Sequence, residues 1–407
     1  METDAETTGA AAAAADDDDH DHDVIKKKRN TIKKPGSDPT RTIVEHEHAK
    51  VCGHLRRQWL RNPPMSRLAK SFQHHQSNCS LPIARHTLDN TFGLGSHFSL
   101  WGQALCNAIE DGFRMTEQLS HVDDLWIWQD QGHCNTNTDP KNKNNGDQNP
   151  TQQRISASSP MECYLPVTRR NKCPISSSSQ QQHDSSIMVN VTDPRLEKQW
   201  CTLTRTTDDI TQKASVRASL TEYLFSEISP LVVKEAQRQI GIIFQDVGSQ
   251  VPNDLVTVHI RWGDKFWEMD LPSIDEYIQG VVRVLTGSNE TIPPTANIFL
   301  ATEDPKAYKA FIDAKPPGWK VFADITLQEI DAFRPPKGNR ASWATRNTQG
   351  RAGFIAMGSL LVSLEAKYFV LTTKSNWSTM MNHLRTNIVD PRCNNCTAMV
   401  DLRPGVW

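Results

Sequence analysis

The chain has 407 residues, room for two domains and tails, with 45 basic against 47 acidic residues and a formal net charge of −2. That balance gives no global basic field, so nucleic acid is not an expected partner. Hydrophobic residues make up 37%, low for a fully globular chain, and the deficit is concentrated in a few polar segments.

Residues 1–50 read as a disordered tail: an alanine run, an Asp/His block and a lysine-rich cluster, with almost no aromatics. Neither an apolar leader near Met1 nor an apolar run of 18 residues is present, so membrane association is not evident. An N-terminal α/β domain is expected over 51–250. A helix interrupted at Pro63 and Pro64 is predicted over 56–69. Gly93 and Gly95 then open a helix carrying Trp101, Leu105, Ala108 and Ile109, with Ser96 as the expected cap. A Gly-x-Gly turn at a helix N-terminus serves either as a tight turn or as a phosphate contact. Trp126 and Trp128 suit either core packing or stacking on a sugar face. Two polar inserts, 135–159 and 176–186, cannot bury a core, and helical spacing resumes over 215–244.

The densest chemical signal is LVTVHIRWGDKFWEMD, Leu255 to Asp270. Its β-branched start reads as a buried parallel strand, and His259, Arg261, Asp264, Lys265 and Glu268 follow at the strand's C-terminal end. A capping box, Ser273 with Glu276, predicts a helix over 273–285 with Tyr277 on one face. Further strands are predicted at 297–301, ending in Thr302, Glu303 and Asp304, at 320–322, and at 368–371, ending in the segment that carries Ser375. Helices are predicted between them and from 379 onward. The alternation over 255–390 predicts a doubly wound parallel sheet within a C-terminal domain, 251–407. Three polar strand ends then face one crevice. Arg261 offers a planar fork for phosphate, and Ser375 stands at a strand-to-helix turn suited to one. No P-loop and no G-x-G-x-x-G after a strand is present.

Nine cysteines leave at least one unpaired if the rest form disulfides. The pair Cys393 and Cys396 has no second pair or nearby His, so no metal is expected there. Sequons at Asn78, Asn190, Asn289 and Asn395 permit glycosylation only along a secretory route, which these residues do not settle.

The run VHIRWGDK…E, followed by FLATEDP and FVLTTKSNWS, resembles in order and spacing three motifs of the α1,6-fucosyltransferases and related GDP-fucose-dependent enzymes. The resemblance covers roughly residues 60–400. It implies a GT-B-like fold, two Rossmann-like halves with the nucleotide-sugar site in the crevice between them, and an inverting, metal-independent transfer of fucose. The donor would be GDP-fucose and the acceptor a glycan or glycoprotein hydroxyl. Implied roles are Glu268 as general base, Lys265 on the departing diphosphate, Arg261 on the β-phosphate, Asp264 orienting the motif and His259 on the nucleotide. Tyr277, Glu303, Asp304 and Ser375 fall on donor-site positions, as do Gly93 and Gly95 in the N-terminal half. A Golgi or secretory location is implied too. The chain departs from the family pattern at Trp262, where a second arginine is expected, and at Thr379, where a basic residue is. It also has no acidic residue around Met357 to Ser359, where one is thought to help recognise guanine. A non-catalytic nucleotide-sugar or glycan-binding protein and a protein O-fucosyltransferase are the alternative readings.

Overall fold

A computed structural model describes residues 65–87, 93–118, 164–165, 187–188, 210–262, 268–287, 291–329, 348 and 351–405. The expected tail, both polar inserts, Trp126, Trp128, Asp264 and Lys265 lie outside them. Among the described residues no helix is long and apolar enough to cross a membrane.

The first part of the fold is built on a three-stranded parallel sheet of order β2-β1-β3, formed by β1 (Ile83–Thr87), β2 (Arg114–Gln118) and the short β3 (Ile187–Met188). Before it, α1 (Arg67–Gln76) starts on Ser66, whose hydroxyl accepts from the Ala69 amide; residues 56–64 of the expected 56–69 helix lie outside the described residues. Between β1 and β2 runs α2 (Leu94–Glu110), whose Trp101, Ala104, Leu105 and Ala108 are buried. Its cap is Gly93 and not the expected Ser96, because the Ser96 hydroxyl accepts from Asn376 Nδ2 at 2.9 Å. A contact from 280 residues away outbids the local capping preference.

Two helices, α3 (Ile210–Leu224) and α4 (Pro230–Ile243), make the expected helical passage; Ser229 caps the second and Pro230 fills its first position. The second sheet has five parallel strands in the order β6-β5-β4-β7-β8. They are β4 (Leu255–His259), β5 (Ala296–Ala301), β6 (Trp319–Ala323), β7 (Tyr368–Leu371) and β8 (Ala398–Asp401). The connecting helices are α5 (Ile274–Thr286), α6 (Pro305–Ala314), α7 (Ile325–Glu329), α8 (Arg351–Ser363) and α9 (Asn376–Leu384). This is an α/β, Rossmann-like fold with helices on both faces of the sheet. The Ser273/Glu276 capping box forms as its sequence predicts.

The alternation inside β4 shows why the strand reads as one apolar run. Val256 and Val258 join Tyr277 and Val281 of α5 on one face, whereas Leu255 packs with Phe299, Phe369 and Phe244 on the other. Burying such side chains contributes about 1.5–3 kcal/mol each. Thr257, fully buried, donates its hydroxyl to the Ser363 carbonyl of α8 at 2.8 Å. Two elements differ from expectation. The edge strand β8 is unpredicted, and α9 begins at Asn376, three residues before the expected start.

Candidate functional site

In the order β6-β5-β4-β7-β8 the chain runs one way from β4 through β5 to β6, and the other way from β7 to β8. The reversal falls between β4 and β7, where open α/β sheets leave a crevice beyond the strand ends. His259 closes β4, and Ser375 follows β7 into α9. The early start of α9 puts Ser378 in its first turn, facing β4. His259 Nδ1 and Ser378 Oγ are 2.7 Å apart, and the Thr372 amide donates to the same hydroxyl at 3.3 Å. Burial, reinforced by the Arg261 charge, lowers the His259 pKa to about 3, so the ring is neutral.

Register explains the next pair. His259 is paired with Ala301 in the sheet, so Arg261 and Glu303, each two residues further on, stand at one level. Arg261 Nη1 meets Glu303 Oε1 at 3.0 Å and the Trp262 carbonyl at 3.1 Å. Residues beyond the ends of two neighbouring strands therefore form an ion pair, and a phosphate approaching Arg261 competes with a carboxylate. Asp304 instead caps α6, accepting from the Lys306 amide at 2.8 Å. Tyr277 is fully buried; its hydroxyl lies 3.1 Å from Thr372 Oγ1 and bonds the Arg261 backbone, while burial raises its pKa to about 12. It braces the ends of β4 and β7 from beneath.

Gly95 and Ser96 of α2 meet Trp377 and Asn376 of α9 from the other side. Neither Gly93 nor Ser375 places a side-chain cap on its helix. A Cβ on Gly95 would stand 3.2 Å from both the Trp377 backbone nitrogen and its ring, so a side chain there would push the first turns of α2 and α9 apart by a few tenths of an ångström. Two helix N-termini without side-chain caps thus converge at the ends of β4 and β7, each favouring negative charge. Beneath them lies a cavity of about 40 Å³ whose polar lining includes Arg217, Thr221, Thr379 and His383 and contains no carboxylate.

Glu268 is exposed in a turn between β4 and α5. Trp262, the departure from the family pattern, donates its indole N–H to the Pro272 carbonyl at 3.2 Å and packs against the core beneath the sheet. It ties the exit of β4 to the approach to α5. Sequence reasoning missed the brace on the opposite flank. Asp401, at the end of β8, takes hydrogen bonds from the Thr373 amide at 3.1 Å and from the Thr373 hydroxyl. Arg403 binds Glu276 at 2.8 Å and Asp270 at 3.1 Å, which holds the Glu276 carboxyl down to about 2. A lone arginine after a four-residue edge strand carries no signal that could have exposed this role.

Cys393 and Cys396 form a disulfide, and Cys79 and Cys106 are disulfide-bonded as well. Asp390 is near the first pair, but both its oxygens are taken, by Arg385 at 2.9 Å and by Thr397 at 2.6 Å, and the thiolates a metal would need are consumed in the bond. Met357 to Ser359 carry no acidic side chain, but one stands beside Ser359. Asp324, after β6, accepts from the Ser359 hydroxyl at 2.5 Å, and burial raises its pKa to about 6. No protein-family model and no curated protein matches the chain.

Proposed function

We propose that the chain is an inverting glycosyltransferase that moves fucose from GDP-fucose to a hydroxyl of a glycan or glycoprotein. The observation that carries this reading is the convergence of His259, Arg261, Ser375 and two helix N-termini without side-chain caps at the β4/β7 switch point, a setting suited to a diphosphate. In the transfer, Glu268 takes the proton of the acceptor hydroxyl. The oxygen attacks the anomeric carbon, the bond from that carbon to the phosphate oxygen breaks, and GDP leaves with its charge met by Arg261 and Lys265. No metal is needed for that balance. The GT-B arrangement belongs to this proposal, with the β2-β1-β3 sheet and α2 as the second half. The disulfides support a secretory location, where such bonds persist.

Calorimetric titration with GDP and GDP-fucose, together with a transfer assay, tests the proposal. Arg261→Ala is expected to remove binding, and Glu268→Gln to keep binding while abolishing transfer. Absence of binding at millimolar ligand refutes the donor assignment. Normal turnover in the glutamine variant refutes the base. Donor binding without turnover on any acceptor would mark a non-catalytic binding protein.

A further inference from the structure

We infer that Ser378 is a positioning residue that fixes His259 as the Nε2–H tautomer, so that a neutral N–H donor faces the crevice. The inference follows from the bookkeeping of one proton. Ser378 is completely enclosed, so its hydroxyl proton must go to an acceptor within the protein. Its hydrogen bonds are with His259 Nδ1 at 2.7 Å and with the Thr372 amide at 3.3 Å. An amide N–H only donates, so the Ser378 oxygen accepts there and its proton points at Nδ1. A neutral ring that accepts at Nδ1 carries its hydrogen on Nε2.

The other ring nitrogen is where this hydrogen acts. His259 is 6% exposed, and its hydrogen bond among the described residues is made at Nδ1, not at Nε2. That small opening lets Nε2–H meet a ligand. Arg261, the charged group acting on the ring, disfavours a second proton. The ligand atom at this point is therefore a hydrogen-bond acceptor, a phosphate or sugar oxygen, and His259 neither gives nor takes a proton in the neutral range. The assignment of that oxygen to a nucleotide sugar rests on the proposed donor; the tautomer does not. Thr372 connects the lock to the rest of the site, since its own hydroxyl meets Tyr277 beneath the strand ends. Serine at 378 thus links α9 to β4 and sets the polarity of the donor at once.

Nitrogen-15 NMR of histidine side chains in the ligand-free protein tests the lock without any ligand. In the native chain, Nδ1 of His259 is expected as the unprotonated nitrogen and Nε2 as the protonated one from pH 8 down to pH 5. Ser378→Ala removes a donor that stabilises the neutral ring, so the titration of His259 moves upward and a population with Nδ1–H appears. Ser378→Thr keeps the hydroxyl and restores the native pattern. Protonated Nδ1 in the native chain overturns the inference, and so does a downward movement in the alanine variant, because an accepting Ser378 would give both. In a parallel titration with GDP, His259→Gln, which carries an N–H₂ near the Nε2 position, is expected to bind within about tenfold of the native protein, and His259→Asn to lose binding. Failure of GDP to bind the native chain would remove the donor reading and leave the NMR result standing.

Discussion

Replacing Glu303 by glutamine isolates the competition at Arg261. The carboxylate is 3.0 Å from Arg261 Nη1, with side-chain exposures of 66% for Glu303 and 22% for Arg261, so the carboxylate is largely solvated. A pair of that kind contributes roughly 0.2–1 kcal/mol. An anion that must displace Glu303 regains that amount when the charge is removed. Affinity for GDP is then expected to rise about 1.4-fold to 5-fold in Glu303→Gln at low ionic strength. The difference should shrink as salt shortens the screening length towards ~3 Å at 1 M. Calorimetric titration of both proteins with GDP, at two salt concentrations, reads the effect directly. Weaker binding in the variant refutes the competition and places Glu303 in contact with the ligand. Equal affinities at low salt would mean that Arg261 serves the anion through its other edge.

Three further outcomes follow from the packing. Gly358 of α8 faces α4 so closely that a Cβ would stand 2.5 Å from Gln239 Nε2 and 2.8 Å from Glu235 Cγ; Gly358→Ala should cost about 1–3 kcal/mol in urea unfolding. Tyr277→Phe leaves the enclosed Thr372 hydroxyl without its partner and should cost about 1–3 kcal/mol, with weaker GDP binding because the Arg261 backbone loses the same brace. His86, His259 and His383 are all held neutral chiefly by burial, with pKa values lowered to about 4, 3 and 4. The unfolded chain binds protons first, so their contribution is complete above pH 6.5 and is lost as pH falls from there towards 4. Stability measured by denaturant at pH 7 and pH 5 should drop by at least ~2 kcal/mol, and an unchanged or higher value at pH 5 contradicts the sign.

How much of this was legible in the sequence depends on where each interaction comes from. The central strands could be read because their two buried faces make continuous apolar runs, as in Leu255 to Val258. The Ser273/Glu276 box could be read because both its bonds are local. By contrast, β8 is four residues long and largely half-exposed at the sheet edge, so neither length nor apolarity announces it. The start of α2 was misplaced because Ser96 serves Asn376, a partner that only the tertiary fold supplies. At the site, the strand-end residues were visible as types, and sheet register then paired Arg261 with Glu303. Ser378 was legible only as part of the polar segment after β7, because the expected helix began one residue after it, which hid the turn that aims its hydroxyl at His259.

The Cys393–Cys396 bond comes just before β8, which ends in Asp401 on Thr373, and Arg403, two residues further on, holds Asp270 and Glu276. The choice of expression host therefore reaches the crevice. A chain produced where thiols remain reduced starts without the covalent turn that leads into the brace, and without the bonds at Cys79 and Cys106. Material from an oxidising compartment and from a reducing one should be compared before any variant is interpreted. A silent assay on reduced protein would report on its preparation and say nothing of its chemistry.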